Sequence, residues 1–255
     1  MNHRVKRWFL FYGDQDMSKN AVLGIALSLL VPLIFYFVVK HFSDDAVVIP
    51  KRLYADTVMT KIENGKEVSD TVWHKVRNIT LTNQLGKRVS LDEIKGKVIV
   101  ADFFFTACPT ICPSMTKNMK TLQNALKIRD EVKSVDSAIV HFLSFTVDPE
   151  RDSAERLKTY ADKYGVNHDI WWMLTGSKQE IYDFALEELK MGIPDPETVD
   201  TSFIHTTKFV LLDKDRVVRG YYDGTDSTEM ARLAKDIVFV TMEKDRKKKR
   251  RLFGN

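Results

Sequence analysis

Cysteine is scarce in this chain, whose 255 residues include only Cys108 and Cys112. Two cysteines cannot form the multi-bridge framework of small disulfide-rich secreted domains, so that class of protein is excluded. A single bridge between them would close a very small loop, and the entropic stabilisation from such a loop is slight. Two thiols four residues apart therefore predict a shared use, as a redox couple or as ligands of one metal ion, more than a structural bridge.

The main body of the chain lacks a surplus of positive charge. The formal net charge is +4, but residues 244–255 alone carry seven Lys or Arg against one Asp, which leaves the rest slightly negative. A nucleic-acid-binding domain needs a basic surface on its folded body, so we expect no nucleic-acid partner. The basic tail has a composition that suits contact with anionic lipid or an acidic protein patch, and equally suits a solvated chain end.

Charged residues are also absent from Ala21–Val39. At the helical rise this stretch spans about 28 Å, close to the thickness of a bilayer core, and Pro32 within it is tolerated in membrane helices. No small-residue cleavage site follows Val39, so the pattern favours a retained signal anchor over a cleaved signal peptide. The excess of Lys and Arg before the stretch predicts a cytoplasmic N-terminus and a large domain outside the cytoplasm.

The N-terminus has no long presequence rich in Arg and Ser, which favours a bacterial inner membrane over a mitochondrial one, with the C-terminal domain in the periplasm. The sequence then divides into five expected segments. These are a cytoplasmic segment at 1–20, a transmembrane anchor at 21–39, a linker at 40–75, a globular domain at 76–243 and a basic tail at 244–255.

Short apolar strands alternate with helical patterns in the globular domain. Residues 78–91 alternate with period two around a Gly-containing turn, which predicts a β-hairpin, and Val98–Phe105 is typical of a central strand buried on both faces. The order predicts an α/β protein with a thioredoxin-like fold, an N-terminal β-hairpin and one preceding transmembrane helix. The remaining predicted elements are strands at 139–147 and 171–175, a hairpin at 207–222, and helices at 112–128, 153–164, 178–190 and 227–241.

Cys108 and Cys112 lie at i and i+4, where the central strand ends and a helix is predicted to begin. Unpaired N–H groups and the positive dipole end of a first helical turn lower a thiol pKa and favour the thiolate. The thiolate is both the nucleophile of disulfide exchange and a ligand of soft metals such as Cu(I), so this environment leaves both uses open. Three residues separate the two cysteines, whereas two separate those of thioredoxin exchange motifs. The loop is therefore wider, and wide enough to reach around a metal ion.

A third metal ligand is sought among six histidines. His205 comes just before the predicted C-terminal hairpin, and in a thioredoxin-like fold the loop before this hairpin comes close to the cysteine loop. His205 is therefore the best candidate, although a single loop histidine is more often an ordinary structural residue. Met115 and Met119 carry thioethers that suit Cu(I), but their helical spacing is more typical of core residues.

Several segments of the globular domain together resemble the Sco/SenC family. The resemblance runs in the right order from about Asn78 to Thr241 and is preceded by a membrane anchor, as is usual in that family. The segments that carry it are Phe105–Pro113 around the cysteines, Ser144–Ser153 with its V-D-P-E-R-D run, Trp172–Gly176, and His205 followed by Lys208–Asp213.

The resemblance implies a membrane-tethered copper-binding protein with a thioredoxin-like fold. Members of this family help to assemble the binuclear copper (CuA) centre of cytochrome c oxidase and hold copper through two cysteines and a histidine, which match Cys108, Cys112 and His205 here. The implied cofactor is copper, as Cu(I) or Cu(II), and the implied partners are the copper-bearing oxidase subunit and a copper donor protein. Some members act as thiol-disulfide reductases that keep the cysteines of the oxidase subunit reduced.

Two features depart from the family pattern. Many members carry an acidic residue between the cysteines, where this chain has Thr110 and Ile111. Asp102 lies six residues before Cys108, where many members have an uncharged residue and where thioredoxins carry a buried, proton-accepting Asp. A buried carboxylate has a raised pKa and can take a proton from the more buried thiol, Cys112. The alternative is a strand-end Asp bonded to the backbone or to a Lys.

The sequence thus favours a copper metallochaperone that is not a classical enzyme. The main alternative is a membrane-anchored thiol-disulfide oxidoreductase with Cys108 as nucleophile, Cys112 as resolving thiol and Asp102 as proton acceptor. A second alternative is a copper or redox sensor that signals through a partner at the membrane. Asp148, at the end of a predicted strand, either shapes the cysteine loop or caps a turn beside Pro149.

Overall fold

The computed structural model describes residues 19–44, 49–63, 66–131, 139–191 and 206–243, and the chain divides into two compact units, Met1–Val48 and Ile49–Asn255. The first unit contains helix α1, Lys19–Asp44. Within it Leu23–Lys40 has a mean hydropathy of 2.2 and no buried residue, so by length and composition it is a candidate membrane span. This agrees with the transmembrane helix that the uncharged run predicts.

The second unit begins with a β-hairpin in the segment predicted to be a linker. Strands β1, Ala55–Glu63, and β2, Lys66–Trp73, pair antiparallel. The described side chains of β1 are exposed on both faces, Val58 and Ile62 on one and Met59 on the other. A strand without a buried face needs no apolar–polar alternation, which is why the sequence pattern does not reveal it. Its base is attached to the domain, since the N–H of Leu53 donates to the carbonyl of Val218 over 2.8 Å.

The core of the second unit is a mixed sheet in which seven strands are described, in the order β4-β3-β7-β6-β5-β8-β9. The central strands β5, β6 and β7 are parallel, and the C-terminal hairpin adds to β5 antiparallel through β8. The N-terminal hairpin adds to β7 antiparallel through β3. The strands are β3 Thr80–Asn83, β4 Arg88–Ser90, β5 Val98–Phe104, β6 Val140–Thr146, β7 Trp171–Thr175, β8 Lys208–Leu212 and β9 Val218–Asp223.

Helices cover both faces of this sheet. One core contains Val100 and Phe104 of β5 with side chains of the helices α2, α3 and α5, and the other contains Ile99 and Phe103 with side chains that follow β7. Every residue of β5 and β6 is buried, as expected for central strands covered on both faces. The helices are α2 Ile111–Glu131, α3 Ala154–Lys163, α4 Lys178–Asp183 with a π-helical turn at Phe184–Glu188, and α5 Ser227–Met242.

The element order and sheet topology confirm the predicted α/β, thioredoxin-like fold with its N-terminal hairpin. The single helix predicted at 178–190 is the main internal difference, because it changes to π-helical geometry at Phe184. The turn brings Phe184 against Phe145 of the sheet, with ring centroids 5.3 Å apart. Packing of an aromatic side chain thus accompanies a local helix geometry that periodicity does not reveal.

Candidate thiol and metal site

The cysteine loop, residues 105–110, joins the buried end of β5 to the start of α2. Both thiols are free, Cys108 partly exposed in the loop and Cys112 buried in the first turn of the helix. The N–H of Cys112 donates to the sulfur of Cys108 over 3.5 Å, and the N–H of Cys108 donates to the carbonyl of Phe105 over 3.2 Å. The structure thus places the two sulfurs side by side at a helix N-terminus, as the i, i+4 spacing predicts.

The two thiols have opposite acidities. Burial alone would raise the pKa of Cys108, but hydrogen bonds from the N–H groups of Cys112, Thr110 and Ile111 outweigh it and lower the pKa. Burial raises the pKa of Cys112 to about 12, with the nearby Cys108 and Asp102 adding to the rise. Cys108 is therefore the thiol that ionises more readily and is the more exposed of the two, whereas Cys112 holds its proton more tightly.

Asp102 is buried on the same face of β5 as the core around α2, which includes Cys112. It lies opposite Ser144 of β6, whose hydroxyl donates to its carboxylate, and the indole N–H of Trp171 donates to Ser144 Oγ over 2.9 Å. Its other oxygen, Oδ1, has no hydrogen-bond partner among the described residues. Burial raises the pKa of Asp102 to about 7, despite the hydrogen bond from Ser144. Its partner is thus a serine, neither a backbone group nor a Lys.

An apolar pocket opens beside the thiols. Its walls include both cysteines together with Ile111, Met115 and Thr206. Met119 lies one turn further along α2, and both methionines are buried in the same core. The two thioethers are therefore core residues, as their helical spacing predicts, and Met115 also lines the pocket.

His205, the predicted third ligand, lies outside the described residues. Thr206, which follows it directly in the chain, lines the pocket with the cysteines. Within the described ranges no group of three or more His, Cys, Asp or Glu side chains is placed to hold a metal ion.

Two acidic residues after β6 have different surroundings. Asp148 forms a turn: its N–H donates to Thr146 Oγ1, and its carbonyl accepts from the N–H groups of Arg151 and Asp152. Asp152 is fully buried and accepts hydrogen bonds from Thr106 in the cysteine loop. Ser153 is the N-cap of the helix that follows. Sequence reasoning missed the contact of Asp152 with the loop. The signal was its place in the V-D-P-E-R-D run, the other segment that carries the family resemblance.

Comparison with known proteins gives one consistent family. The family model described as SCO1/SenC matches residues 72–240. A SCO1 protein homolog of Bacillus subtilis is 40% identical over 174 residues, which cover 68% of this chain and 86% of that protein. A protein of Stutzerimonas stutzeri, named for copper binding, is 28% identical over 149 residues, or 57% of this chain and 68% of its own.

A solved structure of BsSco agrees in fold and sequence. It matches with a TM-score of 0.56 and 39% identity, covering 68% of this chain and 96% of its own. That structure accompanied the identification of a disulfide switch in BsSco, a member of the Sco family of cytochrome c oxidase assembly proteins. The family model spans both the cysteine loop and the segment before the C-terminal hairpin. With these matches, the chain belongs to the SCO1/SenC family.

Proposed function

We propose that this protein is a membrane-anchored copper metallochaperone that assists assembly of the CuA centre of cytochrome c oxidase, with Cys108, Cys112 and His205 as the copper ligands. The observation that carries the proposal is the pair of free sulfurs side by side at the apolar pocket that Thr206 also lines. Cu(I) is a soft ion that favours thiolates, and a third ligand from the residue before Thr206 would complete a trigonal site.

The unequal acidities of the thiols give an order to copper binding. Cys108, whose pKa is lowered, gives up its proton more readily than Cys112 and is partly exposed, so it meets incoming copper first. Cys112 must lose its proton as the second ligand, since metal binding displaces protons from thiols. Copper is the cargo here, and transfer proceeds by exchange of these ligands for those of the acceptor, with both thiols reduced before loading.

The anchor, location and partners follow from the same proposal. Helix α1 would hold the domain of residues 76–243 at a bacterial inner membrane, with that domain in the periplasm and residues 1–20 in the cytoplasm. BsSco is described as a member of a family of cytochrome c oxidase assembly proteins, which supports the copper-bearing oxidase subunit as acceptor. A separate protein would act as copper donor. The segment between anchor and domain contains the β1–β2 hairpin and so is more than a flexible linker.

An anaerobic Cu(I) titration tests the proposal. The full chain in detergent, with its thiols reduced, should bind one Cu(I) and retain it against a chelator of moderate affinity. His205→Ala should lose much of this affinity, while His168→Ala serves as a matched control, because His168 bonds to Gln84 and Asp162 in a loop and does not line the pocket. A parent protein that yields its copper to the chelator, or a His205→Ala variant that binds as tightly as the parent, would remove the chaperone proposal.

Thiol-disulfide exchange is the second candidate function, and buried Asp102 on the Cys112 side of β5 favours it. The Cys108 thiolate would attack a partner disulfide, breaking that S–S bond and forming a mixed disulfide while the released partner sulfur takes a proton. Cys112 would then pass its proton to Asp102 and attack the Cys108 sulfur, forming the Cys108–Cys112 disulfide and releasing the second partner thiol. The partner gains two electrons, and an external dithiol must reduce this protein again. The disulfide switch of BsSco supports such a redox cycle.

Asp102→Asn separates the two functions. If thiol exchange is the function, this variant should reduce a partner disulfide at least about tenfold more slowly, because general-base assistance at Cys112 is lost, while Cu(I) affinity is unchanged. Asp148→Asn is the control, since that carboxylate lies in the turn after β6. Equal reductase rates in the parent and Asp102→Asn would remove Asp102 from the mechanism.

A further inference from the structure

The cysteine loop is held by a buried carboxylate from another part of the chain. Asp152 accepts hydrogen bonds from both the N–H and the hydroxyl of Thr106, at 3.1 and 2.5 Å. It also accepts one from the hydroxyl of Thr146, at the end of β6, at 2.5 Å. Asp152 therefore joins three segments: the cysteine loop, the end of β6 and the turn that leads into α3.

Burial of the Asp152 carboxyl group would destabilise the folded protein if its hydrogen bonds were not formed. The residue is fully buried, and no Lys or Arg forms an ion pair with it in the described part of the chain. A buried carboxylate without a cation is stabilised only by its donors, and hydrogen bonds to a charged acceptor are the strong ones. Three donors on two oxygens meet this requirement, and two of the three come from the cysteine loop.

One peptide group transmits this contact to the thiols. The N–H of the Phe105–Thr106 peptide donates to Asp152, and the carbonyl of the same peptide accepts from the N–H of Cys108. A peptide group is planar, so fixing its N–H also fixes the direction of its carbonyl. The preceding N–H, that of Phe105, donates to the sulfur of Cys112. Both cysteines thus hydrogen-bond to the backbone of a residue whose following peptide plane is held by Asp152.

From this geometry we propose that Asp152 is a positioning residue for the thiol site, which acts through Thr106 to hold Cys108 at a set distance from Cys112. The proposal rests on the proposed function in that the site so positioned is the copper and thiol site. A loop that is ordered before binding loses less conformational entropy when the two sulfurs take up one ion. Removing the contact should weaken copper binding and change the reactivity of Cys108 in a protein that still folds.

Thr106 and Thr146 provide a matched pair of variants. Thr106→Val and Thr146→Val each delete one hydroxyl donor to Asp152, but only Thr106 belongs to the cysteine loop. In Thr106→Val we expect Cu(I) affinity to fall about tenfold, the scale seen when residues that orient a ligand are changed, and the pH profile of Cys108 alkylation to shift. In Thr146→Val both should stay within about twofold of the parent, although stability falls because a buried donor–acceptor pair is lost.

Asp152 itself gives a second comparison, through rescue by a conservative variant. In Asp152→Asn the amide oxygen still accepts from the N–H of Thr106, and its NH₂ can donate to the Thr106 hydroxyl. In Asp152→Ala both contacts are lost. We expect Asp152→Ala to weaken copper binding more than Thr106→Val does, and Asp152→Asn to lie close to the parent.

Equal changes in the two threonine variants, or a folded Asp152→Ala with the copper affinity and alkylation profile of the parent, would overturn the positioning role. If Asp152→Ala does not fold, the threonine pair decides, because both threonine side chains are replaced by isosteres. If the parent binds no copper, the chaperone proposal fails by itself, and the alkylation profile still decides for or against Asp152.

Discussion

The buried polar groups on the two faces of β5 and β6 differ in their hydrogen bonding. On the face covered by α2, Asp102 and Ser144 are linked to each other and to the indole of Trp171, close to Cys112. On the opposite face the side chains of both strands are apolar apart from His141, which is buried with neither ring nitrogen hydrogen-bonded within the described ranges.

The difference shows that one face of the sheet carries a polar group near the thiols, whereas the polar group on the other face only packs against its neighbours. His141 is held by contact with a ring, its imidazole lying edge-on to Trp172 at 4.3 Å, and burial keeps it neutral. Asp102 is held by a chain of hydrogen bonds that ends beside a thiol. Alternation along a strand places these two kinds of group on opposite faces, so each can be tested without disturbing the other.

Acid destabilisation through His141 is the largest effect expected. Burial, then the charge of Lys97, lowers the pKa of His141 to about 3. As pH falls below the ordinary histidine pKa of about 6.5, this imidazole becomes protonated in the unfolded chain but stays neutral in the folded protein. The free energy of unfolding is therefore unaffected above that pH and should fall by about 4 kcal/mol between pH 7 and pH 3.5. His141→Phe should flatten this dependence in urea denaturation, whereas His168→Gln should not. Parallel pH curves for His141→Phe and the parent would contradict the prediction.

Asp102 should produce the opposite dependence. Burial raises its folded pKa to about 7, above the unfolded value, so the folded protein holds the proton more tightly. Below the unfolded pKa of Asp102 the carboxyl is protonated in both states, and the free energy of unfolding is unaffected. As pH rises, ionising the buried carboxyl destabilises the folded protein increasingly, and this effect levels off above pH 7. The free energy of unfolding should therefore fall by about 3 kcal/mol from pH 5 to pH 8. With metal removed and thiols reduced, Asp102→Asn should lose this fall, and Asp148→Asn should retain it.

The buried central strand and the position of Asp102 near the thiols could be predicted from the sequence, because both depend on local patterns. The apolar run at Val98–Phe105 predicts the strand, and the offset of Asp102 from Cys108 predicts a carboxylate near the thiols. What the sequence could not show are contacts between distant residues. Asp152 is 46 residues from Thr106, and no periodicity pairs them. The β1–β2 hairpin was missed for another reason, since the described side chains of β1 are exposed on both faces and such a strand carries no burial pattern.

A smaller effect is expected from the hydroxyl that links Trp171 to Asp102. Ser144→Ala leaves the indole N–H of Trp171 without its acceptor in a buried site, which should lower the free energy of unfolding by about 2 kcal/mol. It also removes the one hydrogen bond that opposes the raised pKa of Asp102, so that pKa should rise further. A double-mutant cycle with Trp171→Phe measures the coupling. Additive effects would show that the two side chains are not linked.

The smallest loss of stability should come from Tyr160→Phe. Tyr160 packs on the same face of the sheet as Asp102, but we expect its hydroxyl to stabilise the fold without acting on the thiols. Its hydroxyl bonds to Thr116 Oγ1 at 2.9 Å, and Thr116 also donates to the carbonyl of Cys112. Tyr160→Phe removes one hydrogen bond and leaves Thr116 with its other partner, so about 1 kcal/mol of stability should be lost. The rate at which the protein reduces a partner disulfide should not change, in contrast to the slower reduction expected for Asp102→Asn. A slower reduction in Tyr160→Phe would place the tyrosine hydroxyl with Asp102 among the groups that act on the Cys112 thiol.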